Sequence, residues 1–410
     1  MEALNVELLK KAVGGEFAAI RRITRMEPIG EKIYPPTYEG GEYATELRQV
    51  RTDGEEVRAV ETVLLDSVQS QANRLEGALL RAYDSGRIKM PLLQVNFAGD
   101  GNEPILAEVG RLTALEAPHR MCDAIFRDSL HCGVRFRESE LGAKLNSAGA
   151  TNATSVFALC PTALFLGFWD STGPRGGAGT KLQRALVSEI VGYQAVTGKR
   201  TASRIDPLRI ENNVDIFARP EGGWTCDEAQ AARDQKGQPI KLKPSEINHG
   251  NITPSLRRED KTTGKQVLNH GGMTLAYALQ HTVLSLAALR RLRFPLNNIL
   301  RQETDDAART VVAALALAAI CFLDEDGYDL RSRCLLDGTP GNFEFVGRGE
   351  RNPFTLSAAE AIQLLAEAAE EATHLGLPWP EEPITLEPSE DLKRLVVESR
   401  RRSMTTEIGA

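Results

Sequence analysis

Residues 61–81 read ETVLLDSVQSQANRLEGALLR, and the polar members in the middle of this stretch are amides, hydroxyls and a guanidinium. Gln69 and Asn73 stand four residues apart, and Ser70 and Arg74 repeat that spacing beside them. Leu64, Val68, Ala72, Leu75 and Leu79 recur at helical spacing, so the stretch is expected to be a helix with one apolar face. A merely solvated face is usually built of Glu and Lys. Amides and hydroxyls instead offer both donors and acceptors to a polar ligand. The same groups, Gln71 included, also suit a second role, satisfying the backbone of neighbouring loops.

Other side chains of similar chemistry follow along the chain. They are His119 and Arg120, Trp169 with Ser171 and Thr172, Arg184, Arg200 with Thr201, and Arg204. Nucleic-acid backbones are held by Arg, by Ser/Thr and Asn/Gln side chains and by main-chain N–H groups, and bases stack on aromatic rings. Taken singly, each is an ordinary surface residue or structural tie. Together they favour a nucleic-acid groove.

Catalytic patterns do not assemble. The glycine-rich loop 173–181 ends Gly179-Thr180-Lys181, whereas a Walker loop needs G-K-[ST]. The six histidines show no HxxxH or HExxH spacing, and there is no Gly-x-Ser-x-Gly elbow. No catalytic residue, metal or cofactor is expected.

These groups need a scaffold. The chain has 410 residues, 42% hydrophobic and 26% charged, ordinary values for a globular protein with a large core. Its longest apolar run, 311–323, is shorter than the ~20 residues that span a bilayer, so it is read as a buried helix. The N-terminus lacks the apolar centre of a signal peptide, and the six cysteines form no CxxC pair. A cytoplasmic protein with reduced core thiols and no membrane partner is expected. The net charge is −7, but residues 111–210 carry 13 Lys/Arg against 8 Asp/Glu, and residues 351–410 carry 6 against 11. A local polyanion groove is compatible with that distribution.

Patterning predicts strands over 17–26 and 91–97, a strand or two over 158–169, and a basic strand over 290–294. It predicts helices over 121–129, 181–194, 303–323 and 357–374. Residues 248–272 have few apolar members around a charged centre and are read as an exposed hairpin arm, flanked by His249 and His270.

Residues 65–76, LDSVQSQANRLE, resemble the signature helix of the RAMP-superfamily backbone subunit of type I-U (I-G) CRISPR effector complexes, which are Cascade-like. Further matches follow in order: PPTY at 35–38, His119-Arg120 with Asp123-Ala124, GFWDSTG at 167–173, SRIDP at 203–207, INHGNITP at 247–254 and LRRLRF at 289–294. They cover about residues 20 to 295.

The resemblance implies an α+β fold: an RRM/ferredoxin-like palm with helical finger insertions over 15–330, a β-hairpin thumb over 245–275 within it, and a C-terminal helical extension over 331–410. It implies a non-catalytic subunit that binds CRISPR RNA and multimerises along it. Target DNA is then recognised through guide pairing, with protein holding the backbone. The other implied partners are further copies of the chain, a large subunit and guide-end-binding subunits.

The residues expected to meet RNA are Gln69, Ser70, Gln71, Asn73, Arg74, His119, Arg120, Trp169, Ser171, Thr172, Arg184, Arg200, Arg204 and His249, with Ile252 or Met273 wedging beside a displaced base. Two rival readings remain. One is a target-cleaving ribonuclease using Asp66, Asp170 or Asp206. The other is a structural protein that polymerises without nucleic acid.

Overall fold

The computed structural model describes residues 4–51, 56–100, 103–170, 180–259, 266–268 and 270–408. The chain is α+β and divides into two compact units. The larger comprises residues 1–38, 43–195 and 275–394, and the smaller comprises 39–42, 196–274 and 395–410.

The larger unit is organised by a nine-stranded sheet. Its strands are β1 (Ala19–Pro28), β2 (Thr45–Arg51), β3 (Val57–Asp66), β4 (Leu186–Tyr193), β5 (Tyr277–Ser285), β6 (Tyr328–Arg331), β7 (Cys334–Asp337), β8 (Phe343–Gly347) and β9 (Glu350–Phe354). Neighbours run in the order β2-β3-β4-β5-β1, all antiparallel. The far side of β1 pairs with β8 over Ala19–Arg22 and with β7 at Glu27 and Pro28. Among the helices of this unit, three long ones pack on the sheet or on one another: α1 (Val68–Asp84), α2 (Gln302–Asp326) and α3 (Ala358–His374). The subset β1-α1-β4-β5-α2-β8 therefore follows a β-α-β-β-α-β order, with spatial order β8-β1-β5-β4.

Alternation places one side of each central strand in the core. Ile20, Thr24 and Met26 of β1, Leu186 and Ile190 of β4, and Ala278 and Leu284 of β5 are all buried. Helix α1 packs on β4 and α2, and α2 packs on α3. Every residue of α2 from Ala307 to Leu323 is buried, as expected of a helix apolar all round. It is long and apolar enough to cross a membrane, yet its apolar window is 94% buried inside the chain, the mark of a core helix. Ser357 caps α3 in a reciprocal capping box with Glu360.

Several expectations are corrected. The helix expected from Glu61 begins at Val68. Ser67 is its N-cap, and the preceding residues, rich in Val and Thr, form β3. Residues 186–193, expected as helix, are β4. Residues 158–169 hold the end of one short helix, Thr154–Leu159, and the whole of another, Thr162–Leu166, before a two-residue strand. Within 121–129 the α-helix covers only Ala124–Arg127. The basic segment after Leu289 is turn, not strand. Residues 331–410 are not a helical extension, because β7, β8 and β9 complete the main sheet. Strand Ile384–Pro388 also sits inside a second, five-stranded sheet, parallel to Leu93–Asn96. Of the cysteines, Cys160, Cys321 and Cys334 are buried, but Cys132 and Cys226 are exposed.

The smaller unit is built mainly from the segment between β4 and β5. Strand Val196–Lys199 pairs with His270–Thr274, and Ala202–Arg204 pairs with Ile252–Ser255. Ile216–Ala218, Trp224–Thr225 and Lys241–Leu242 form a three-stranded sheet. Arg257–Glu259 pairs with Gln266–Leu268, so the arm is a hairpin whose tip lies outside the described residues. At its base a Cβ on Gly271 would lie 2.1 Å from the Lys199 carbonyl carbon, so only glycine admits that approach.

Candidate nucleic-acid interface

The polar residues of α1 separate into two sets. Asp66, at the end of β3, is fully buried and accepts hydrogen bonds from Ser70 Oγ (2.7 Å), Gln71 Nε2 (2.6 Å) and Arg74 Nε (2.9 Å). Arg331 Nη2 approaches Oδ1, the oxygen that Ser70 bonds, at 3.5 Å, while Gln71 and Arg74 share Oδ2. Gln71 Oε1 accepts from Ser188 Oγ and Gln280 Nε2, both at 2.9 Å. Gln280 accepts from the Tyr328 hydroxyl, which also bonds Asp324 at 2.6 Å. Asp324 pairs with buried Arg22 through two bonds of 2.5 and 2.8 Å. A polar chain thus runs under the sheet from Arg331 to Arg22. Arg74 Nη2 additionally bonds the Leu330 carbonyl at 2.6 Å. Ser70, Gln71 and Arg74 are engaged in this network, and Gln71 is closed to any ligand. Gln69 and Asn73 are exposed and lie on the other side of the helix.

Arg120 is likewise turned inward. Its backbone is left-handed (φ 52°), and its guanidinium makes a two-pronged pair with buried Glu76 at 2.7 and 2.8 Å and bonds the Gly167 carbonyl at 2.9 Å. Such a fork is structural, because both groups are almost wholly buried. Burial pushes the Glu76 carboxyl upward, and Arg120 opposes that shift. His119 beside it is exposed. Arg184 is half-buried and donates Nε to the Leu166 carbonyl at 3.1 Å. Burial first, then Arg120, lowers its basicity. Trp169 is 48% exposed, and its neighbour Asp170 pairs with Arg137. Ser171 and Thr172 lie outside the described residues.

In the smaller unit Arg200 is exposed and Arg204 half-exposed. Arg204 does not pair with Asp206. That buried carboxylate accepts the backbone N–H groups of Gly250 (2.7 Å), Leu208 (3.2 Å) and Ile210 (3.4 Å). The Gly250 contact leads in holding the Asp206 carboxyl below its ordinary 3.8. Its contribution to the loop is therefore complete above that pH and is lost as pH falls through the lower folded value. The Gly250 amide resonance should shift in an acid titration only below about pH 3.8. A shift midpoint above that value would refute the contact. His249 half-covers the edge of Trp224, with ring centroids 6.3 Å apart. Of the two candidate wedges, Ile252 is 42% exposed, but Met273 is fully buried in its ladder and cannot reach a base.

One surface escaped sequence reading. The side of the sheet away from α1 and α2 carries Ile23, Val187 and Val283, all exposed; Val187 of β4 stands opposite Val283 of β5, and Ile23 of β1 stands opposite His281, one pair further along. At its edge Arg25 lies over the Tyr277 ring at 4.3 Å, and Tyr277 stacks on Tyr193 at 5.2 Å. His281 stands among Arg21, Arg48 and Glu189; burial first, and those arginines, hold its imidazole below the usual range, so it is neutral at pH 7. The only sequence signal was the basic character of residues 17–26.

Among the described residues no three His, Cys, Asp or Glu side chains converge as a metal site. Asp66, Asp170 and Asp206 are 0%, 6% and 2% exposed, and all three carboxylates are engaged as above.

No curated protein matches the chain. Residues 21–197 match the family model described as CRISPR-associated protein GSU0053, a span that runs from within β1 through β4 and holds α1, Arg120 and Trp169. Over that span the chain is similar to CRISPR-associated proteins.

Proposed function

We propose that the chain is a non-catalytic, RNA-binding backbone subunit of a cytoplasmic CRISPR effector complex. Copies line up along the guide RNA, beside a large subunit and guide-end-binding subunits, and target DNA is recognised by pairing with the guide. The β-α-β-β-α-β subset of the sheet serves as an RRM-like palm. The observation that carries this reading is topological. The chain leaves the sheet at the end of β4 and returns at the start of β5, its antiparallel neighbour, and nearly the whole smaller unit lies in between. A hairpin inserted between two central strands is the arrangement a palm with a thumb requires.

The exposed amides Gln69 and Asn73, the cations Arg200 and Arg204, and the half-exposed Trp169 supply sequence-independent backbone and stacking groups. The engaged state of the three aspartates favours a holding role over cleavage.

Deleting residues 256–267 tests the reading. The full chain, assembled on guide RNA, should protect it from ribonuclease in regular fragments. The shortened chain should bind with the regular pattern lost. An unchanged pattern would remove the thumb, and metal-dependent cleavage of paired RNA would overturn the non-catalytic role.

A further inference from the structure

A cavity of about 410 Å³ opens in the larger unit where the helix Thr162–Leu166, the approach to β4 and the turn after Leu289 meet. Its floor is apolar: Leu164, Ala185 and Leu292 are each at most 3% exposed. Lys181, Gln183 and Arg291 stand exposed around it. We infer that this cavity seats one unstacked nucleotide of an RNA strand, with the base on the apolar floor and the phosphate held by Lys181 and Arg291. The inference rests on the RNA-binding reading above and adds a site whose second cation lies beyond the family match.

The charge around the cavity is uncompensated. Among the described residues the side chains of Lys181, Gln183 and Arg291 make no hydrogen bond or ion pair, and no carboxylate lines the cavity. Arg184 and Arg290, the neighbours of Gln183 and Arg291 in sequence, hydrogen-bond only to carbonyl groups, so they add positive charge without cancelling any. The smaller unit carries 16 Lys/Arg against 14 Asp/Glu, which leaves 33 against 42 on the larger one. A basic spot on the acidic unit is therefore not a sample of its average surface. A phosphate is the complementary group.

The shape suits a base. The volume lies within the range of roughly 300–1,000 Å³ usual for small-molecule sites, and an apolar floor with a few polar groups at the rim is their usual lining. The Gln183 amide offers both donors and an acceptor to a base edge. The walls are set by the fold itself. Ala185 donates its N–H to the Phe165 carbonyl at 2.8 Å, and Arg184 Nε reaches the Leu166 carbonyl. Gly167 has φ 80°, and a Cβ there would lie 2.8 Å from the Leu182 carbonyl oxygen, so helix and approach strand meet with no side chain between them. Trp169 stands directly opposite Lys181 in their two-strand ladder, on the same face. Its half-exposed ring offers a stacking surface to the adjoining base of the strand.

The test uses the full chain and a single-stranded RNA of guide-like sequence, titrated in filter binding at several salt concentrations. K181Q/R291Q removes two phosphate contacts, so the slope of log K against log salt should fall by about 1.4, at ~0.7 per contact for single strands. Its affinity at about 0.15 M salt should fall about tenfold. Ala150 lies exposed at the cavity, and A150F fills the space while leaving both cations in place. That variant should lose about tenfold in affinity, the worth of one stacked base, with the wild-type slope. Both variants should keep the wild-type melting temperature. Wild-type affinity in both would overturn the inference while leaving the RNA-binding reading intact. Weakening in K181Q/R291Q alone would also overturn it, by reducing the site to a surface contact with phosphate. Adenosine monophosphate, titrated by itself, separates a strand from a free nucleotide. Saturable binding of it that is lost in both variants, while they bind RNA normally, would make this a mononucleotide site and overturn the RNA assignment. Failure of the wild-type chain to bind RNA at any salt would overturn both readings.

Discussion

Asp66→Ala should unfold this protein far more readily, costing about 3–5 kcal/mol, the usual penalty for removing one member of a buried charge pair. The carboxylate has no exposed surface and is the meeting point of Ser70, Gln71, Arg74 and Arg331. Its loss strands Gln71 Nε2 in the core and leaves the Arg74 Nε and Arg331 contacts unanswered. Asp66→Asn keeps the volume but turns one acceptor into a donor that faces other donors, so it too should destabilise. A urea midpoint for each variant measures this. By contrast Gln69→Ala with Asn73→Ala should leave the midpoint alone and weaken guide binding about tenfold for all sequences alike, roughly two lost hydrogen bonds. An unmoved midpoint for Asp66→Ala would mean that the network contributes nothing to folding.

The second large effect belongs to Glu76 and Arg120. Either truncation, Glu76→Leu or Arg120→Met, leaves a buried charge without its partner and should cost about 3–5 kcal/mol. The double variant, apolar on both sides, should recover much of that loss, so the pair should show strong coupling in a double-mutant cycle. The pH dependence carries a sign. Burial already pushes the Glu76 carboxyl above its ordinary 4.5, and removing Arg120 pushes it further. A carboxyl raised in the folded state penalises folding only where the unfolded chain ionises it. The Arg120→Met deficit should therefore be largest above the folded value and vanish as pH drops below about 4.5. A deficit that stays constant from pH 7 to pH 4 would show that the cost is packing and not charge.

Much of the framework could be read from residues alone, and the failures have a common cause. The core helix α2 was legible because a long run apolar on every side has one comfortable place, the interior. Helix α3 was legible from its Ala/Glu stripe. Strand β4 was mistaken for helix because Leu182, Leu186 and Ile190 are four apart. Four is close to one helical turn and also two strand alternations, so the spacing cannot separate them; Val187, Ile190 and Val191 should have weighed toward strand. The same ambiguity joined Leu64 to Val68 and hid the β3–α1 boundary at Ser67.

The site was half legible for a different reason. Arg74, Arg120 and Gln71 have the right chemistry for a phosphate, but their partners Asp66, Glu76, Ser188 and Gln280 come from other elements. Which arginines are spent inside the protein is settled by tertiary contact, to which helical periodicity is blind. The open sheet face was missed because Tyr193, Tyr277, Arg25 and Ile23 become neighbours only when β4, β5 and β1 align.

The insertion between β4 and β5 also bears on how the chain finds its structure and how it can change. Tyr193 cannot meet Tyr277 until the whole intervening segment has been looped out, and β1 waits on partners from the far end of the sequence. A topology so dominated by distant pairings should fold slowly. The ladder of Val196–Lys199 with His270–Thr274 cinches the loop at its neck. Once that neck has closed, the entropy of joining β4 to β5 no longer depends on what lies beyond it. Even without the neck, doubling a flexible loop costs only ~0.6 kcal/mol. The arm can therefore lengthen or shorten over evolutionary time at almost no expense to the sheet, so that its reach is a freely adjustable variable while the register of the two tyrosines stays put.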